Sequence, residues 1–128
     1  MPALLIFLGG GLGAVTRWGL SVGVEKIAEN TALHRFPWGI LACNLLGCFA
    51  IGALFGLFPP HRPSPSWVFP FLVTGFLGGF TTFSAFGKDT HQLFTEGFAP
   101  HALANILAST IGGVILVYLG FRLTHSTS

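Results

Sequence analysis

Four apolar stretches, each long enough to cross a lipid bilayer, limit what this chain can fold into. A helix needs about 20 predominantly apolar residues to cross a hydrocarbon core of about 30 Å. Inside that core the backbone must satisfy its own hydrogen bonds, which a helix does within one segment. The stretches are Ala3–Val24, Trp38–Phe58, Trp67–Phe86 and Ala99–Phe121. The sequence therefore predicts an all-α membrane protein with four transmembrane helices.

The composition agrees with a chain that lies almost wholly in lipid. Hydrophobic residues make up 52% of the 128 residues and charged residues only 8%, whereas soluble domains carry about 25% charged residues. The polar connections at residues 25–36, 59–66 and 87–97 leave no room for a soluble domain. We therefore predict a single integral membrane domain over residues 1–128, with the lipid bilayer as a partner and no nucleic acid. No pairing of a nucleophile with a base, phosphate-binding loop or metal-ligand cluster is evident, so we predict no enzymatic activity.

Lysine and arginine residues are divided almost evenly between the two sides of the predicted bundle, although their bias normally sets orientation. Arg62 and Arg122 lie on one side, and Lys26, Arg35 and Lys88 on the other. A chain with so small a bias can insert both ways, and two oppositely inserted copies can pair about an axis in the membrane plane. The alternative, in which lipids or the first helix select one orientation, fits the charges equally well.

Small residues recur at a spacing that lets helices approach closely in lipid. The pairs are Gly9 with Gly13, Gly52 with Gly56, and Gly75 with Gly79. We expect them to build a tight bundle, with more of these contacts between chains than within one chain.

The segment "GFLGGFTTFSAFG" (75–87) interrupts the helical character of the third stretch. Gly78 and Gly79 each cost about 1 kcal/mol relative to alanine in a helix, and Thr81, Thr82 and Ser84 can divert backbone hydrogen bonds. We therefore predict a break in the third helix near the middle of the membrane. Freed carbonyls can bind a cation and hydroxyls can line a path. Equally, the glycines can serve helix packing and the hydroxyls can bond to the preceding turn.

Phe83 and Phe86 stand three residues apart and share a face if a helix resumes after the break. The edge of an aromatic ring is positive, so two rings presented edge-on can hold a small anion. Ordinary packing is the default interpretation of such a pair in a membrane span.

Polar residues in the other spans have two interpretations each. Asn44 is the only strongly polar side chain in the second span, and it either bonds to another helix or lines a path. Arg17 can extend to the membrane interface or attract anions in a vestibule. Asn105 and Ser109 begin a narrow polar face of the fourth span, which either lines a path or packs.

Three motifs together with the lengths of the spans resemble one family, the Fluc (CrcB) fluoride channels. The motifs are "GGGLGAVTRW", "PWGILACNLLGCFAIG" and "TGFLGGFTTFSAFG", and with the spans they cover nearly the whole chain. The resemblance implies a fluoride-selective channel in the inner (plasma) membrane that lets cytoplasmic fluoride leave passively. It also implies an antiparallel, dual-topology homodimer with two narrow fluoride pathways and a sodium ion at the subunit interface.

The same resemblance assigns roles to individual residues. The backbone carbonyls of Gly78 and Thr81 match the family's ligands for Na⁺. The residues that match the fluoride pathway are Arg17, Asn44, Thr82, Phe83, Phe86, Ser84 and Ser109. Gly113 stands where some relatives carry a second serine, and Lys88 and Asp89 receive no role.

Two other functions compete with the channel. A proton-coupled exporter of cationic drugs needs a carboxylate within the membrane. The acidic residues lie in connections or at span ends, which disfavours it: Glu25, Glu29, Asp89 and Glu96. A noncatalytic structural subunit accounts for the glycine pairs but leaves Asn44, the hydroxyls and the phenylalanine pair without a common purpose.

Overall fold

A computed structural model describes residues 1–125 as a bundle of helices, without strands in that range. Its α-helices are α1 (Pro2–Ala28), α2 (Trp38–Leu57), α3 (Gly78–Phe80), α4 (Phe83–Thr95), α5 (Ala99–Leu107) and α6 (Gly113–His125). Two π-helical segments, Val68–Leu77 and Ala108–Gly112, precede α3 and α6. Together these elements form four spans that are long and apolar enough to cross a membrane, which confirms the predicted fold class.

Large apolar side chains point outward over much of the bundle, as expected for a protein whose solvent is lipid. Phe7 is 76% exposed on the first span and Val114 is 73% exposed on the fourth. The buried residues are mostly small, because glycines occupy the helix contacts. The chain is therefore a multi-pass membrane protein.

Glycines of α1 contact the first half of the third span within the same chain. A Cβ atom on Gly9 would overlap the carbonyl of Phe71, one on Gly13 would overlap that of Phe76, and one on Gly79 would overlap that of Gly10. The two backbones touch at these positions, so no larger residue fits without moving a helix.

The second glycine seam joins α2 to α6. A Cβ atom on Gly52 would overlap the carbonyl of Val117, and one on Gly120 would overlap that of Phe49. The hydroxyl of Thr124 donates to the carbonyl of Ala53 at 2.9 Å in the same seam. The expectation that the glycine pairs serve contacts between chains more than within one is therefore wrong for these seams.

The start of α2 is stabilised by a carboxylate from α1. Pro37 precedes the helix and supplies no side-chain cap, and the amide of Gly39 donates to Oε1 of Glu25 at 3.2 Å. A negative charge beside the amides of a helix N-terminus is favourable. Glu25 thus has a structural use at the end of the bundle.

The third span continues well beyond its predicted end at Phe86, because α4 extends to Thr95. The chain then turns at Gly97, whose φ of 82° suits glycine. Arg35 braces this turn from the α1–α2 connection, with its guanidinium 4.6 Å from the Phe98 ring centroid and 3.9 Å from Glu96. Most of the connection predicted at 87–97 is therefore helix.

Candidate functional site at the break in the third span

The helix of the third span is interrupted at Thr81 and Thr82. Their φ and ψ angles are −94° and 155° for Thr81, and −153° and 120° for Thr82, both extended. The predicted break is confirmed, but its cause differs from the prediction. Gly78 remains helical, with φ −61° and ψ −38°, so the chain leaves the helix at the threonines.

Side chains capture the two amides that would otherwise continue the helix. The amide of Thr82 donates to Oδ1 of Asn44 at 2.8 Å, and the amide of Ala85 donates to the hydroxyl of Thr82 at 3.2 Å. In an uninterrupted helix these amides would donate four residues back, to the carbonyls of Gly78 and Thr81. Both carbonyls therefore lose their helical donors.

Asn44 anchors the break to the second span through both ends of its amide. Nδ2 donates to the carbonyl of Thr82 at 3.0 Å while Oδ1 accepts from the amide of the same residue. A side-chain amide has two N–H donors, of which one bonds to Thr82, and Asn44 lines the cavity. The residue thus makes the interhelical bonds foreseen for it and also lies on the cavity wall.

Arg17 reaches the break from α1. Its Nη1 donates to the carbonyl of Thr81 at 3.1 Å, and the side chain is half-buried. The thiol of Cys43 lies 3.7 Å from the Arg17 carbonyl, to which it donates. The guanidinium is therefore held against the extended segment.

Thr81 contributes its backbone to the site, because its side chain is occupied. Its hydroxyl donates to the carbonyl of Leu77 at 2.8 Å, and its methyl group fills the space beside Gly47, where a Cβ atom would overlap it. Sequence reasoning did not identify Gly47, although it lies about one turn after Asn44 on the same face of α2. Gly47 leaves room for the break.

A cavity of about 410 Å³ opens beside the break. Its wall is formed by Asn44, Gly47, Cys48, Ile51, Val73, Leu77, Gly78, Thr81, Thr82, Phe83, Phe86, Ser109 and Thr110. Seven of the nine residues proposed from the resemblance are therefore on this wall. Arg17 and Ser84 are not part of the wall, which within the described chain carries no charged side chain.

Phe83 and Phe86 lie on one face at the start of α4, as their spacing predicts. Their ring centroids are 5.5 Å apart and the ring planes are tilted by 37°. Phe83 is 84% exposed, whereas Phe86 is half-buried. Both rings therefore border the cavity, and the Phe83 ring is also largely exposed at the surface of the chain.

The hydroxyls of Thr82 and Ser84 form a pair at the N-terminus of α4. Thr82 is the N-cap, since its hydroxyl accepts from the amide of Ala85. The two hydroxyl oxygens are 3.1 Å apart, and Ser84 is exposed. Ser84 therefore contacts the site only through Thr82.

The fourth span brings Ser109 to the cavity at the π-helical segment Ala108–Gly112. Ser109 donates to Oδ1 of Asn105 at 3.5 Å, and Nδ2 of Asn105 donates to the hydroxyl of Thr90 at 3.0 Å. Asn105 is only 2% exposed. This connected series of polar groups joins the fourth span to α4 behind the cavity wall.

The space beside Gly113, the position that the resemblance matches to a second serine, borders a thiol in this chain. A Cβ atom on Gly113 would lie 3.2 Å from Sγ of Cys48. A serine at position 113 would therefore press against Cys48, which itself lines the cavity. Thr110, a further wall residue that sequence reasoning missed, donates its hydroxyl to the carbonyl of Ile106 at 2.7 Å.

The acidic side chains that form polar contacts in the described structure lie away from the cavity wall. Asp89 pairs with Lys88 at 3.0 Å, Glu96 lies 3.9 Å from Arg35, and Glu25 accepts from the α2 terminus. The described cavity wall thus carries amide, hydroxyl and aromatic groups but no carboxylate.

Comparison with known proteins finds relatives of one family over nearly the whole chain. The family model for the CrcB-like protein, Camphor Resistance (CrcB), matches residues 4–121. A protein of Parabacteroides distasonis called fluoride-specific ion channel FluC is 40% identical over 96% of this chain and 92% of its own length. Proteins of the same name from Magnetococcus marinus and Pyrococcus horikoshii are each 42% identical, over 94% of this chain and 94% of their own lengths. The chain therefore belongs to the CrcB family.

Proposed function

We propose that this chain forms a fluoride-selective channel through which cytoplasmic fluoride leaves the cell passively, so that its toxicity falls. The observation that carries the proposal is the cavity beside the break, whose largely apolar wall brings together the amide of Asn44, the hydroxyls of Thr82 and Ser109 and two phenylalanine rings. Fluoride is small and strongly hydrated, and it needs several donors to replace its water. Conduction also requires binding weak enough for the ion to leave, which neutral groups provide better than a buried lysine.

The donors and rings have distinct tasks in this proposal. Asn44 offers its remaining N–H, and Thr82 offers its hydroxyl on the same wall. Ser109 turns its single O–H toward the anion and gives up the long 3.5 Å bond to Oδ1 of Asn105. Phe83 and Phe86 present positive ring edges to the anion. Arg17 acts from behind the wall, through the carbonyl that it contacts.

The carbonyls of Gly78 and Thr81 are the proposed ligands of a sodium ion. Both have lost their helical donors, and Gly78 is exposed on the cavity wall. Unwound backbone carbonyls are suitable ligands for Na⁺ in membrane proteins. One chain offers two such oxygens, and a second copy related by a two-fold axis offers two more. The donor set therefore fits the ion.

The proposed assembly is an antiparallel homodimer in the inner (plasma) membrane. Phe83 projects from the chain with 84% of its surface exposed, which favours a neighbouring copy against it. The near-even distribution of lysine and arginine between the two sides of the chain supports insertion in both orientations. Labelling of single loop cysteines in a background without Cys43 and Cys48 tests this: accessibility from one side only would contradict dual topology.

A proton-coupled multidrug exporter is the weaker alternative. It requires a carboxylate that exchanges protons with substrate inside the membrane. The described cavity wall has no such group, and Asp89 and Glu96 pair with basic residues elsewhere.

Fluoride efflux from liposomes tests the proposed function. Purified protein is reconstituted into liposomes loaded with potassium salts, and valinomycin is added so that potassium leaves with the anion and balances its charge. Fluoride and chloride release are followed with ion-selective electrodes. We expect rapid fluoride release without chloride release. Folded protein that releases neither ion would show that the break serves helix packing only.

A further inference from the structure

We propose that Arg17 lowers the affinity of the cation site at the break by sharing the Thr81 carbonyl with the ion. The inference rests on the sodium ion of the proposed function. It concerns a side chain that is absent from the cavity wall and acts only through the carbonyl it contacts.

The contact joins a fixed positive charge to a proposed ligand oxygen. Nη1 of Arg17 donates to the Thr81 carbonyl at 3.1 Å. That carbonyl is available because the amide of Ala85 donates to the Thr82 hydroxyl instead. A carbonyl oxygen has two lone pairs, so it can accept from the guanidinium and still face a cation. Arg17 therefore leaves the ligand in place while bringing a second cation close to it.

Nothing in the described ion pairs offsets the charge of Arg17. The pairs within residues 1–125 are Arg35 with Glu96 and Lys88 with Asp89. Two unit charges that share one oxygen atom lie only a few ångströms apart and repel each other. The guanidinium also polarises the carbonyl and competes for its electron density. Both effects oppose cation binding.

The backbones that carry Arg17 and Thr81 are held in place, which makes the repulsion persistent. Arg17 is half-buried, and its own carbonyl accepts the Cys43 thiol at 3.7 Å. Thr81 is held in turn by its hydroxyl bond to Leu77 and by the close fit of its methyl group at Gly47. A neutral donor at position 17 should therefore bind the same carbonyl without repelling the ion.

Sodium-dependent thermal stability tests the inference with a readout other than conduction. A ligand that binds only the folded state raises the unfolding temperature as its concentration rises. Full-length protein is unfolded over a series of NaCl concentrations, with N-methylglucamine chloride keeping the ionic strength constant and KCl as the comparison ion. The variants are Arg17→Gln and Arg17→Met, which are neutral, and Arg17→Lys, which keeps the charge. Lys26→Gln is the matched control, since it removes an exposed charge from the same helix.

We expect the sodium concentration at half-maximal stabilisation to fall about tenfold or more in Arg17→Gln, which corresponds to about 1.4 kcal/mol. Arg17→Lys and Lys26→Gln should keep the wild-type value. The inference is overturned if the sodium concentration at half-maximal stabilisation is unchanged or higher in Arg17→Gln, or if it falls equally in Arg17→Lys. Either result leaves the proposed function intact. Failure of both neutral variants to fold also overturns the inference, because a residue that only tunes affinity is dispensable for folding. If sodium does not stabilise the wild-type protein more than potassium does, both the proposed sodium site and this inference are wrong. The fluoride efflux experiment tests the channel function independently of that result.

Discussion

Replacing Asn44 with alanine removes the two hydrogen bonds that hold the break against the second span. Nδ2 donates to the Thr82 carbonyl at 3.0 Å and Oδ1 accepts from the Thr82 amide at 2.8 Å. Alanine leaves both backbone groups without these partners. It also removes the remaining N–H that we assign to fluoride.

The cost follows from the two backbone groups. Each buried polar group left without a partner costs about 1–3 kcal/mol, so two cost about 2–6 kcal/mol. Thr82 is only half-buried beside an open cavity, and water can replace part of the loss, which favours the lower limit. A cost of about 2 kcal/mol changes the balance between the observed break and competing backbone arrangements about 30-fold.

The aspartate variant separates anchoring from charge. Asn44→Asp keeps an acceptor for the Thr82 amide but places a carboxylate oxygen against the Thr82 carbonyl and a negative charge on the cavity wall. Like charges at short range oppose anion entry strongly in a low dielectric. We therefore expect Asn44→Asp to conduct less than Asn44→Ala, although it loses less of the anchor.

Fluoride efflux from liposomes and thermal unfolding of the same preparations provide the measurement. We expect efflux to fall about tenfold or more in Asn44→Ala, with a lower unfolding temperature. Asn30→Ala is the control, because Asn30 is exposed in the α1–α2 connection. Wild-type efflux and unfolding in Asn44→Ala would refute the assignment of Asn44 to both the anchor and the pathway.

Two further predictions concern the cavity wall. Gly47→Ala should displace Thr81, whose methyl group occupies the space of the new Cβ atom, and overpacking of this kind costs about 1–3 kcal/mol. Fluoride efflux should fall in Gly47→Ala but not in Gly23→Ala, where nothing lies within 4 Å, and equal efflux in the two variants would contradict the close fit. Phe83→Ile or Phe86→Ile should reduce efflux while the protein stays folded, because an aliphatic side chain lacks the positive ring edge. Phe7→Ile is the matched control on the outer surface. If both pathway variants conducted like the wild type, the ring edges would have no role in conduction.

The break shows how far residue types alone determine local structure. Its presence follows from glycine, threonine and serine in an apolar span, because these residues weaken a helix or divert its bonds. Its position does not follow from the same reasoning. Gly78 stays helical, and the extended residues are Thr81 and Thr82, because the amide of Thr82 finds an acceptor on Asn44 in another span. A bond between residues so far apart in sequence has no local signature.

For the glycine pairs too, the sequence predicts that a close helix contact exists but not which helix makes it. Their spacing in the sequence indicates close helix contacts, and each pair makes one. Which helix lies opposite is a property of the assembled bundle: Gly79 meets the backbone of Gly10, and Gly52 meets that of Val117. Periodicity places a small residue on a face but does not identify the facing helix.

The amino-acid sequence by itself determined that this protein crosses the membrane as four helices and interrupts the third, since span length, apolar composition and helix-weakening residues act locally along the chain. Its motifs also indicated the family. Only the tertiary structure decided that Arg17 meets the Thr81 carbonyl, that Asn44 holds both backbone groups of Thr82, and that Asn105 lies buried against Thr90. The physical reason is that a hydrogen bond between spans depends on the distance and direction of two groups that only the packing of whole helices brings together.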